Sequence, residues 1–241
     1  MKHMPAATNS KFRVFLEWCL IRRHIQQVSA ARQTIVQALA AGAFALALPA
    51  GTAAYAQDRM PPIAPDTYNE AQKKAAEEYQ AARKRPVAGP FSVLIRSPEL
   101  MNAYRTFGDF LRFKASIGIK LSELIILITA REWTQDYQWY VHAPIALKQG
   151  LGQGIIDAIA EGRRPSGMSE DVEICYDLTI ELHRNKRVAD ATYARAVKLF
   201  GEQGVIDIVA ISGYYTSLAM VLNTTRMPIP ASGKRLPRFP E

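Results

Sequence analysis

The stretch REWTQDYQWYVH, residues 131–142, sets two Trp, two Tyr, two Gln, a Glu and a His between segments made mostly of Ala, Leu, Ile and Gly. Gln135, Gln138 and His142 follow one another at spacings of three and four, so they share one helix face. Tyr137 and Tyr140 flank that face. Upstream, Glu123 sits inside SELIILIT, where nearly every neighbour is apolar. A carboxylate there is costly unless it is hydrogen-bonded. A Glu and a His on consecutive apolar helices, joined by a tight turn, are placed to satisfy each other. Such a pair can pass protons to and from a bound molecule. It can equally be a buried hydrogen bond that only fixes the packing, and spacing alone leaves both readings open.

Other polar and aromatic residues carry weaker signals. Glu132 lies nine residues after Glu123, at the end of the same helix. It either touches a pocket or is solvated. Trp133, Trp139 and Tyr140 read as pocket wall or subunit interface. Tyr214 and Tyr215 read as packing, with one hydroxyl free to reach a pocket. His183, in ELHRNKR, reads as a cation-capable side chain near a helix C-terminus. The chain has no GxGxxG after a strand, no P-loop, no HExxH and no GxSxG. Its basic residues are scattered and form no nucleic-acid motif.

The formal charge of +8 over 241 residues suggests a polyanion partner. Its distribution argues otherwise, because residues 1–56 contribute +5 and the remainder only +3. That first segment has the layout of an export signal. Basic residues come first, then the apolar run IVQALAAGAFALALPAG, then Ala54-Tyr55-Ala56 as a cleavage site. Arg22-Arg23 lacks the apolar followers of a twin-arginine signal, which favours the general secretory route. A buried N-terminal helix is the other reading. Cleavage after Ala56 leaves Cys175 as the single cysteine, with neither an internal disulfide nor a Cys-based metal site. No stretch of the mature chain reads as a membrane span. The expectation is a periplasmic or secreted protein with no stable membrane insertion.

The elements that must position Glu123 and His142 are helical. After an extended Pro-rich lead over 57–65, helix formers cover 67–85 with Asp66 or Thr67 as N-cap. Ser97 with Pro98 starts a second helix, whose stripe is Leu100, Met101, Tyr104, Phe107 and Leu111. Residues 122–133 have almost no wet face and should be central. The next helix has Thr134 or Asp136 as cap, contains Pro144 and stops at Gly150. Further helices follow at 152–162, after Ser169, after Asp190 and over 204–223. The class is all-α, about seven or eight helices in one domain over 66–225, with a loose Pro-rich tail over 226–241.

From about residue 65 to 223 the chain resembles the carboxymuconolactone decarboxylase family, which includes the alkylhydroperoxidase branch. The resemblance is carried by GPFSVLIRSPEL, by LSELIILITAREWTQDYQWYVHAPIALKQGLGQGIIDAI and by ISGYYTSLAMVLN. The peroxidase branch has the pattern E-x11-C-x2-C-x3-H. Here Glu123 and His142 take its Glu and His positions, while Gln135 and Gln138 occupy the two cysteine positions. Glutamine can neither attack a peroxide nor resolve a sulfenic acid. The chain therefore resembles the cysteine-free decarboxylases. That resemblance implies cofactor-free proton chemistry on a small, acidic, carbonyl-containing substrate such as an organic acid or lactone. His142 would deliver the proton, Glu123 would orient it, and Gln135 and Gln138 would supply amide donors to an oxyanion. It also implies a pocket contribution from Glu132 and a homo-oligomer, trimer or hexamer, while the residues themselves offer Trp139 as pocket wall and lead to no expected metal or nucleic-acid partner. An antioxidant peroxidase-like role and a non-enzymatic carrier of a small acid are the competing readings. Peptide mass spectrometry of the exported protein should find Gln57 at its N-terminus, and a start well away from it overturns the export reading.

Overall fold

The structure is a computed structural model, and it describes residues 58–238. The expected export segment over 1–56 lies outside the described residues. Those residues form eight α-helices and one 3-10 turn, with no strand. The helices are α1 (Glu70–Arg83), α2 (Pro90–Leu94), α3 (Pro98–Phe113), α4 (Gly118–Glu132), α5 (Asp136–Lys148), α6 (Gln153–Ala160), α7 (Glu170–Asn185) and α8 (Asp190–Thr225). The all-α class and the helix number expected from periodicity are what the fold shows.

The middle of the molecule is α4. Every residue from Leu121 to Arg131 is buried. With Leu or Ile at six of those positions, the segment has no face for water, and each such side chain contributes roughly 1.5–3 kcal/mol when buried. Helices α5, α7 and α8 pack around it, with α3 and α6 also in contact. Ser122 was a candidate start for this helix. It lies one turn inside, and its hydroxyl donates back to the Gly118 carbonyl at 2.9 Å.

Helix boundaries shift for identifiable reasons. α1 starts at Glu70, after the expected cap, because Asn69 and Gln72 form a reciprocal capping box. Residues Pro65–Thr67 instead make the 3-10 turn. In α3, Met101 and Leu111 are buried, whereas Leu100 and Phe107 are exposed. The expected apolar stripe therefore covers the core with only part of its width. In α8 the two expected helices meet at Gly201, whose φ of 68° breaks the helical path without a Cβ penalty. Among the described residues α8 alone is long and apolar enough to cross a membrane, contrary to the reading that no stretch qualified. More than half of its most apolar window is buried against the other helices.

The C-terminal tail is not loose. Leu236 is buried, and its N–H donates to Asp136 Oδ1 at 3.0 Å. Arg238 pairs with the other Asp136 oxygen at 2.6 Å, and Arg131 donates to the Pro237 carbonyl at 2.7 Å. Asp136 at the head of α5 thus anchors the tail, a role no periodicity reveals.

His183 is also reassigned. It is no solvated helix-end cation. Its Nε2 lies 3.1 Å from Thr129 Oγ1 on α4 and 3.1 Å from Ser212 Oγ on α8. Burial pushes its pKa below 6.5, with Glu132 opposing the shift and Lys186 adding to it. The unfolded chain then binds the proton more tightly than the folded one. The imidazole's contribution to stability is complete above the unfolded value of about 6.5 and is lost as pH falls toward the lower folded value. Denaturant midpoints measured from pH 8 to pH 5 should fall for the wild type and fall less for His183→Asn. Identical profiles for the two proteins contradict this assignment.

Candidate active site

Three residues between α4 and α5 fix the site. Trp133 ends α4, and Thr134 takes a left-handed φ of 47°. Gln135 N–H then bonds the Ala130 carbonyl at 2.8 Å, and Thr134 N–H bonds Arg131 at 3.0 Å. This is the Schellman arrangement, with a β-branched residue where glycine is usual. The Thr134 hydroxyl accepts from Arg131 Nη2 at 3.2 Å, a contact that helps hold it there. Gln135 is at once the end of α4 and the N-cap of α5. Its Oε1 accepts from the N–H groups of Tyr137 and Gln138 at 2.6 and 3.1 Å. Its Nε2 donates to Asn223 Oδ1 at 3.0 Å, and Asn223 donates in turn to the Trp133 carbonyl.

With the turn held, Glu123 and His142 meet. His142 Nδ1 and Glu123 Oε2 are 2.7 Å apart, and both residues are buried. A carboxylate accepting at Nδ1 fixes the ring tautomer and leaves Nε2 as the working atom. The other carboxylate oxygen has Arg112 Nη2 at 3.8 Å. The imidazole stands edge-on to the Tyr215 ring, with centroids 5.2 Å apart.

His142 opens onto a cavity of about 130 Å³. Helix α5 supplies Tyr137, Gln138, Val141 and His142 to its wall, and α8 supplies Tyr214, Tyr215, Leu218 and Leu222. Arg83, Arg85 and Gly89 come from α1 and the segment after it, Phe91 from α2, and Arg112 from α3. Glu123 stands behind the histidine and is not part of the wall. Arg83 is committed to Asp109 at 2.8 Å and stacks over Phe91 and Tyr79. Arg85 has no carboxylate partner among the described residues, so its charge is free at the cavity rim. Gly89 is required: its φ is 61°, and a Cβ there would lie 2.8 Å from the Tyr137 hydroxyl.

Several expected site residues are elsewhere or do other work. Gln135 caps α5 and does not reach the cavity. Gln138 lines it, but its Nε2 donates to the Tyr215 carbonyl at 2.9 Å while Oε1 is buried without a partner. One of the two N–H groups of its amide is thereby committed to the protein. Glu132 pairs with Arg184 at 2.7 Å on the far side of α4. Nine residues are two and a half helical turns, which put it opposite Glu123. Trp139 belongs to a second cavity of about 410 Å³, shared with Tyr140, α6 and the tail. Cys175 is wholly buried on α7, burial pushes its thiol pKa up, and it is not part of the cavity wall. No group of three or more His, Cys, Asp or Glu among the described residues is placed to hold a metal. The sequence reading missed Arg83, Arg85 and Arg112, which carry no motif, and gave no site role to Gly89, the first residue of GPFSVLIRSPEL.

No protein-family model matches the sequence, and no curated protein matches it. A solved structure does. It is the crystal structure of an alkylhydroperoxidase AhpD core, described as an uncharacterized peroxidase-related protein from Ralstonia eutropha JMP134. The two share 16% identity and a TM-score of 0.58, over 72% of this chain and 92% of that one. At that identity the likeness speaks for architecture, and the chain has the alkylhydroperoxidase AhpD-core fold.

Proposed function

We propose that this chain is an exported enzyme of the decarboxylase-like type, catalysing cofactor-free proton transfer on a small unsaturated acid, in a decarboxylation or lactone reaction. The carrying observation is the 2.7 Å contact that holds His142 Nδ1 on Glu123 while the ring faces a cavity. The arginines support an anionic substrate, since Arg85 at the rim and Arg112 in the wall add positive charge beside an otherwise apolar surface. In a decarboxylation, the bond between the substrate carbon and its carboxylate breaks and CO2 leaves. The electron pair moves into the conjugated carbonyl to give a dienolate. His142 as the imidazolium, its Nδ1–H on Glu123, then gives its Nε2 proton to carbon, and the neutral ring left behind recovers one from solvent. Glu123 remains ionised and keeps the ring aligned.

The AhpD-core neighbour is described as peroxidase-related. A thiol peroxidase needs a reactive thiolate, and the cysteine positions of that branch are Gln135 and Gln138 here. Cys175 is sealed in the core, with its thiol held protonated by burial. The likeness therefore carries no peroxide chemistry to this cavity. Purified protein should turn over a member of a panel of small unsaturated acids and lactones, with His142→Ala lowering the rate at least ~100-fold. A loss below about threefold removes His142 from the mechanism. Thiol-dependent peroxide turnover abolished by Cys175→Ser supports the antioxidant reading instead, and tight binding without turnover supports a carrier.

Self-association belongs to the same proposal. Of the two most apolar segments, 122–128 and 205–222, the first is entirely buried within one protomer and offers no interface. The exposed Phe107, Phe110 and Phe113 of α3 and Ile206 and Val209 of α8 take that place. Light scattering should report a trimer or hexamer, and a monodisperse monomer rejects this surface as an interface.

A further inference from the structure

The proposed chemistry needs a hydrogen-bond donor for the oxyanion; Gln135 does not line the cavity, and one N–H of Gln138 is committed to the Tyr215 carbonyl. The polar atoms of the other wall residues differ in what they already do. The Tyr214 hydroxyl donates to the Tyr104 carbonyl at 3.1 Å. The Arg83 guanidinium is held by Asp109. The Tyr137 hydroxyl sits against Gly89 at the rim, beside Arg85. Tyr215 is 3% exposed and lines the cavity, and its hydroxyl makes no hydrogen bond to any described residue. The Tyr137 hydroxyl likewise makes no hydrogen bond to any described residue, but Tyr137 is only half-buried, whereas Tyr215 is both buried and edge-on to His142. Its ring is clamped edge-on between His142, at 5.2 Å, and Tyr214, at 5.1 Å.

A tyrosine so deeply buried ordinarily finds a partner for its O–H. Leaving one unmet costs stability, so a donor turned to a cavity is placed for a ligand. Resting on the proton-transfer reading above, we propose that the Tyr215 hydroxyl is the oxyanion donor of this site. It hydrogen-bonds the enolate oxygen of the substrate while His142 protonates carbon. The ligand class is then an acid whose carbonyl is conjugated to the reacting carbon, bound with that oxygen toward α8. Burial pushes the Tyr215 phenol far above the usual tyrosine range, so it stays a neutral donor throughout the working pH range. No net proton leaves Tyr215. The proton that reaches carbon comes from His142 Nε2.

The test is Tyr215→Phe in the full protein, which removes one oxygen and keeps the ring contacts. With a substrate in hand, kcat should fall about 100- to 1,000-fold with KM nearly unchanged, as for loss of one oxyanion donor. A second readout needs no turnover: binding of 4-nitrophenolate, a stable oxyanion followed by its visible absorption. The wild type should bind it, and Tyr215→Phe should bind it about ten- to a hundredfold more weakly. The melting temperature should be unchanged or raised in Tyr215→Phe, because the lost hydroxyl bonds nothing in the protein. It should drop in Tyr214→Phe, which removes the bond from the Tyr214 hydroxyl to the Tyr104 carbonyl. Equal phenolate affinity in wild type and Tyr215→Phe, no binding by the wild type, or a melting point lowered in Tyr215→Phe as much as in Tyr214→Phe each overturn the proposal. Failure of the proton-transfer reading shows separately, as no turnover by the wild type of any acid tried.

Discussion

A carboxylate in the most apolar helix of the protein is the constraint around which the rest is arranged. Moving an unpaired charge out of water costs many kcal/mol, so a Glu123 with nothing to bond would disrupt the core it sits in. The imidazole of His142 meets that cost at 2.7 Å. The arrangement works only if α5 leaves the end of α4 along one path, because an error of one residue turns the histidine about 100° away. This explains the density of polar contacts in residues 133–135. A Schellman end, a left-handed Thr134 steadied by Arg131, and a Gln135 that caps one helix while closing the other hold the path. Asn223 then ties the same turn to the end of α8. The polar residues of the turn serve the geometry of the couple and do not act on the ligand.

The cavity wall follows a related economy. Among the polar groups that face it, Arg83, the Tyr214 hydroxyl and Gln138 Nε2 are already bonded to the protein. Tyr214 and Tyr215 are adjacent in sequence, yet one hydroxyl is tied to Tyr104 and the other is not. The difference starts at Gly108. A Cβ there would lie 2.3 Å from the Tyr214 hydroxyl, so α3 must be bare at that point for the ring to reach the carbonyl it bonds. With Tyr214 drawn toward α3, Tyr215 is held against His142 by ring contacts on two sides. Packing distant from the couple thereby decides which oxygen is available to a bound molecule.

How far the sequence reveals this depends on the range of each interaction. The helical class and the central place of α4 come from local periodicity, which survives in any globular context. The contact between Glu123 and His142 was also readable, since two polar groups on adjoining apolar helices have few alternatives. Glutamine is an uncommon N-cap, so the work of Gln135 was hidden by the preferences that pointed to Thr134 or Asp136. Trp139 was misplaced by an angle. At 100° per residue, Tyr137, Val141, Gln138 and His142 span one arc of α5, and Trp139 lies past its edge, toward the second cavity. Arg83, Arg85 and Arg112 converge from segments with no shared pattern. Only the fold places their charge at one opening, and the tail anchored on Asp136 is long-range in the same way.

The two glutamines show how one scaffold can exchange one chemistry for another. In the E-x11-C-x2-C-x3-H pattern of the thiol branch, laid on this sequence, their positions are the two cysteines. Here both positions have become structural: Gln135 organises the turn, and Gln138 binds the backbone of the residue that stacks on His142. Glu123 and His142 remain in contact beside the cavity, and the proposed function assigns them the proton transfer. A fold that tolerates this exchange is a poor guide to reaction but a good guide to place, because the α4–α5 junction aims the histidine whatever occupies the two positions before it. What then separates one chemistry from another is the small set of wall groups with unspent hydrogen-bonding capacity. In this chain those are His142 Nε2, the hydroxyls of Tyr137 and Tyr215, the amide oxygen of Gln138 and the Arg85 guanidinium, the groups from which the proposed chemistry draws.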